Sequence, residues 1–125
     1  MDTVLLHATS VENMELIKSS GMLARSYWTN DTDLAAYYAE TVEDDGFESV
    51  IIAVRLKDLD EAFIQPDYPG LEEPITGVLG STEERIWKKW EASERGWINS
   101  LSIVHSVRYI EPIQASLLLF DYQEN

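Results

Sequence analysis

A chain of 125 residues with 45% apolar side chains and four tryptophans has the size of about one domain and enough material for a core. It contains no cysteine, which excludes disulfides and thiol nucleophiles. Twenty-three acidic residues against nine basic ones give a net charge of −14, a poor match for the phosphates of nucleic acid or an anionic membrane. No run of about 18 apolar residues is present and the N-terminus lacks the basic and apolar regions of a signal peptide, so a cytoplasmic protein is expected.

In chain order, residues 4–7 read as a short buried strand that runs into His7, one of two histidines. Thr9 and Glu12 then have the spacing of a capping box. Val11, Met14 and Ile17 share one face of the helix that follows, which Gly21 should close. Residues 23–28 read as a second strand, and Thr29 or Asn30 can cap the next helix, on which Leu34, Tyr37, Tyr38 and Val42 form a stripe. Residues 40–48 are polar, contain Gly46 and read as a loop.

Residues 50–56, VIIAVRL, give the clearest strand signal, rich in β-branched side chains. Residues 57–80 hold three of the four prolines and three of the six glycines, which predicts irregular structure with a short strand near 62–65. A second capping box at 81–84 opens a helix carrying Ile86, Trp87 and Trp90 on one face and ending near Gly96. Residues 101–110 and 113–122 read as two strands separated by Pro112. Helices early, strands late and little βαβ alternation predict a single α+β domain, residues 1–125, built on antiparallel sheets.

Four features occur in order: a strand ending in His-x-Thr-Ser, a helix closing at Gly21, SYWT at 26–29 and DLAAYYAE at 33–40. This order resembles the ADP-ribosyltransferase fold, in the His-Tyr-Glu branch shared by the poly-ADP-ribose polymerases and the diphtheria-type toxins. The resemblance covers residues 4–40 and extends to the central strand after them. It implies split antiparallel β-sheets with two to three helices, and NAD as substrate. Under it, His7 and Thr9 would contact ribose hydroxyls and Ala8 would offer its backbone to the nicotinamide amide. Tyr27 would close the second strand, and the ring of Tyr38 would stack on nicotinamide. The family commonly has glycine where Ala8 stands, and the β-carbon narrows the approach.

The chemistry explains these residue types. Breaking the bond between nicotinamide and ribose builds positive charge on the sugar, as in glycosidases. Aromatic rings clamp the leaving group and exclude water, and a carboxylate stabilises the developing cation. The resemblance places that carboxylate near a late strand, where the only acidic residue in the block 97–113 is Glu111, beside Pro112. Arg108 is a candidate partner for a dinucleotide phosphate, or else for a surface acid. The plainer roles stand beside these: His7 as a satisfied polar residue at a strand end, Thr9 as a helix cap, and one of Tyr37 and Tyr38 turned away from any cleft. Two histidines 98 positions apart and no cysteine give no metal pattern. GVLGS at 77–81 is a weak anion-site hint. The RNA 2′-phosphotransferases share the fold, but so acidic a chain is poorly suited to grip RNA.

The expectation is therefore a cytoplasmic NAD-binding protein that transfers ADP-ribose to a macromolecule or hydrolyses NAD, of a size that suits a bacterial or phage effector. His7, Tyr38 and Glu111 are the catalytic candidates, and His7, Ala8, Thr9, Tyr27, Tyr38 and Arg108 the nucleotide-binding ones. A second expectation follows from charge alone. Acid clusters at Glu43-Asp44-Asp45, at Asp58, Asp60 and Glu61, and at Glu72-Glu73 are either solvated loops or the face of a non-enzymatic inhibitor that mimics DNA or docks on a basic partner.

Overall fold

The structure is a computed structural model that describes residues 3–66 and 96–120. Strand β1 (Val4–Ser10) runs without a loop into helix α1 (Val11–Ser20). The strand is three residues longer than its apolar run, because Thr9 and Ser10 continue the ladder with β3 (Ser49–Arg55). The cap consequently moves from the expected Thr9 to Ser10, whose hydroxyl accepts from the Asn13 amide at 3.1 Å. Thr9 is buried instead, and its Oγ1 accepts from Asn13 Nδ2 at 2.8 Å.

Helix α1 ends at Gly21 as its sequence predicts. At φ +83 the residue is in the left-handed region, and its backbone lies against the carbonyl of Ile113. Met22 and Ile113 then exchange backbone hydrogen bonds of 2.8 and 3.0 Å, pinning the chain after α1 to the segment between the last two strands. Leu23 is exposed and Arg25 has φ +66, so β2 begins only at Ser26 and spans Ser26–Thr29, in place of the expected 23–28.

Helix α2 (Thr32–Asp44) is capped by Asp31, one residue beyond the expected Thr29 or Asn30. Its carboxylate accepts from the amides of Asp33 at 2.9 Å and Leu34 at 3.4 Å. Thr29 is occupied elsewhere: its hydroxyl donates to the carbonyl of His105 and accepts from the amide of Asp31. The helix runs five residues into the segment expected as loop, and Gly46, at φ +92, lies in the turn that follows.

The short strand β4 (Ile64–Pro66) lies close to where it was expected. The late block differs most. Gly96 is helical, within α3 (Gly96–Val104), and the expected strand 101–110 is helical over its first four residues. β5 is confined to Ser106–Tyr109. Apolar periodicity in LSIV does not separate a buried helix turn from a strand. The chain reverses at His105, a non-glycine residue at φ 61. Over 113–120, the described part of the expected strand 113–122, there is a bridge at Ile113, a 3-10 turn (Ala115–Leu117) and β6 (Leu118–Leu119). The helix expected from 81 and the GVLGS segment lie outside the described residues.

All six strands belong to one antiparallel sheet in the order β4-β5-β2-β1-β3-β6. The class is α+β, with one sheet among the described residues where two were expected. Helices α1 and α3 pack on one face around Leu5, Trp28, Ile52, Val54 and Val107, all 1% exposed or less. Helix α2 packs on the other face, where Ala35 and Ala53 are fully buried beside Leu6. Pairing is uneven across the sheet. β1 and β3 match at seven positions and β2 and β5 at four, but β1 and β2 meet at one pair, Leu6 with Thr29.

A Cβ at Gly21 would stand 2.6 Å from the Ile113 carbonyl oxygen, on a backbone that disfavours any side chain. Gly21→Ala is expected to lower the unfolding free energy by about 2 kcal/mol or more, measured by urea denaturation with an unchanged m-value. Ser10→Ala should cost about 1 kcal/mol through loss of the cap.

Candidate functional site

Were the β1–β2 ladder to continue past its single pair, His7 would face Trp28 and Ala8 would face Tyr27. The strands part instead, and the gap between them is the site. A strand flanked on both sides turns the polar groups of alternate residues toward each neighbour. Past Leu6, the groups of β1 directed at β2 therefore lose their strand partner and become available to a ligand.

The His7 side chain spans the gap. Its Nδ1 lies 2.8 Å from the carbonyl oxygen of Tyr27. A carbonyl only accepts, so Nδ1 carries the proton, and in the neutral ring Nε2 is left as an acceptor. Nε2 makes no hydrogen bond to any described residue. The imidazole also packs on the indole of Trp28, with centroids 5.3 Å apart and the planes tilted by 45°. Trp28 is itself held, its Nε1–H donating to Ser26 Oγ at 2.7 Å. Burial pushes the His7 pKa down from 6.5, and the bond to Tyr27 opposes this in part.

Two cavities share His7 and Tyr27 in their walls. The larger, about 620 Å³, lies between the parted strands and α2. That volume is in the range of small-ligand sites. Its walls are Leu6, Ala8, Trp28 and Thr29 of the sheet, Tyr38, Thr41 and Val42 of α2, and Ser106 at the start of β5. Tyr27 and Tyr38, 42% and 45% exposed, both line it. Tyr37 is turned to solvent and packs edge-on against Tyr38, with centroids 5.8 Å apart. The smaller cavity, about 410 Å³, lies over the end of α1 and is rimmed by Asn13, Leu16, Leu23 and Arg25.

Of the residues expected at a site, the fold brings His7, Ala8, Tyr27 and Tyr38 together on the larger cavity. It leaves three others out. Thr9 is buried against Asn13 and lines neither cavity. Arg108 pairs in register with Tyr27 and donates to Gln65 Oε1, away from both cavities. Glu111 is exposed past the far end of β5, which carries the chain about 10 Å from Ser106 to Tyr109. No Asp or Glu lines either cavity among the described residues. Thr41 and Val42 were missed as lining residues, though they stand three and four positions after Tyr38 and so share its helix face. Arg25 carried no signal in the sequence.

The lowered pKa of His7 has a defined sign in stability. Between the folded pKa and 6.5 the unfolded chain binds more protons, so this contribution is complete above pH 6.5 and is lost as pH falls from there through the folded pKa. Urea midpoints are expected to fall over that window in the parent. In His7→Asn, whose amide can still donate to Tyr27 but does not titrate, this part of the fall should vanish.

No protein-family model, no curated protein and no solved structure matches this chain.

Proposed function

We propose that the gap between β1 and β2 binds NAD or a related nucleotide, on an ADP-ribosyltransferase-like fold whose sheet is split at the Leu6–Thr29 pair. The observation that carries this reading is the convergence of His7, Ala8, Tyr27 and Tyr38 on one cavity of about 620 Å³. Two half-exposed tyrosine rings on one wall suit a flat ring such as nicotinamide. A neutral imidazole with Nε2 as acceptor suits a ribose hydroxyl. A second cavity, which shares His7 and Tyr27 in its wall, is the candidate for the other half of a dinucleotide.

With NAD in this position, the lining orients the nicotinamide ribose and shields it from water, and the bond that breaks joins the ring to the sugar. Transfer of ADP-ribose to a macromolecule, or hydrolysis, requires a group that stabilises the sugar cation. Ser106 stands at the start of the late strand, where a carboxylate was sought, and its carbonyl accepts from Ser100 Oγ at 2.6 Å. The lining among the described residues supports binding more directly than turnover. A second reading follows from that observation: a binding-only pocket in an acidic interaction protein of the inhibitor type, with Glu43, Asp44 and Asp45 all exposed at the end of α2.

Thermal unfolding with NAD, together with nicotinamide release from labelled NAD in lysate, separates the readings. NAD is expected to raise the Tm. Tyr38→Ala should weaken NAD binding at least tenfold, about 1.4 kcal/mol, and Glu111→Gln should leave it unchanged. Protection with nicotinamide release supports transfer or hydrolysis; protection without it supports the binding-only reading. No protection at millimolar NAD sinks both nucleotide readings.

A further inference from the structure

The bond between His7 Nδ1 and the Tyr27 carbonyl survives protonation, because Nδ1 donates in either charge state. The change is confined to Nε2, the ring nitrogen that makes no hydrogen bond to any described residue. We propose that His7 sets which chemical class of group the cleft accepts at this point. With the ring neutral, Nε2 accepts a hydrogen bond and selects a hydroxyl; with the ring protonated, the same atom donates from a cation and selects an oxyanion. The inference deepens the nucleotide reading for the hydroxyl state, and its oxyanion state stands on the geometry of His7 alone.

The surroundings set the charge of that second state. β2 brings the phenol of Tyr27 and the indole of Trp28, and β3 sets Ile52 opposite His7 in register. The end of α1 and the segment after it bring Asn13 and Arg25 to the smaller cavity. α2 brings Tyr38 and β5 brings Ser106, while Arg108 lies across β2 in register with Tyr27. Glu12, Glu15 and Lys18 of α1 are exposed and line neither cavity. α1 and α2 also carry carboxylates, Glu12 and Glu15 on the first and Asp33, Glu40, Glu43 and Asp44 on the second, all exposed; among the described residues none of them lines a cavity to neutralise an imidazolium. A protonated His7 joins Arg25 on the wall of one cavity, and two cations there attract an anion.

Side-chain nitrogen NMR on uniformly labelled protein tests this directly, with His105→Asn used to assign the two histidines; asparagine tolerates the positive φ at that position. His7 is expected as the Nδ1–H tautomer at about pH 7.5. Inorganic phosphate should raise its pKa by about one unit, the equivalent of tenfold tighter phosphate binding to the charged ring. NAD should lower it. In His7→Asn, which keeps a donor for Tyr27, phosphate binding should show no dependence on this titration. An Nε2–H tautomer, or a His7 pKa that phosphate leaves unmoved, overturns the proposal. Failure of NAD to bind at any pH removes the nucleotide reading alone, because the tautomer and the phosphate response are read without it.

Discussion

The parting of β1 and β2 after one registered pair is the constraint on which the site depends. On one side β1 keeps a full ladder with β3, and on the other β2 keeps a full ladder with β5. Each half of the sheet is thus stabilised independently of the seam. Hydrogen bonds omitted at the seam have to be replaced, and a histidine side chain supplies one of them. His7 is therefore both a tie between the halves and part of the surface they enclose.

Packing on the two faces explains why the gap stays open. The α2 face is lined with small residues, and Ala35 against Ala53 lets the helix lie close to β1 and β3. That closeness brings Tyr38, Thr41 and Val42 over the gap as its roof. On the opposite face, Trp28 is the largest fully buried side chain among the described residues and supports the imidazole from below. A smaller residue at 28 would leave a void beneath His7, at a cost of about 3–5 kcal/mol for tryptophan to alanine. The walls belong to strands and a helix, and the polar side chains within them are few.

Much of the first half of the fold was legible because its signals are local. A β-branched run gave β3, Gly21 gave the end of α1, and the tyrosines of α2 gave one wall of the cleft. The caps slipped by one or two residues because Thr9 and Thr29, good caps in isolation, were claimed by Asn13 and by the His105 carbonyl. Such claims come from tertiary contacts, which no window of sequence contains. The second half was misread at 101–104, where an apolar run serves a helix as well as a strand. Glu111 was a candidate only as the sole acid of the block 97–113, and it lies past the end of β5. Residues 4–40 carried nearly all the site information, and the part that eluded sequence is the part built by residues far apart in the chain.

The last turn of α2 has a consequence of its own. It ends in Glu43 and Asp44 with no basic residue, so two negative charges stand where the exposed carbonyls of the helix already concentrate negative charge. Ser49 donates to Glu43 at 2.9 Å and holds the turn only in part. Thr41 and Val42 lie in this turn and form part of the cleft wall. Added salt screens this repulsion over distances of about 10 Å at 0.1 M. The ionic strength of the medium thus acts on the firmness of the cleft wall itself, through a helix end and without any ion bound in the cleft.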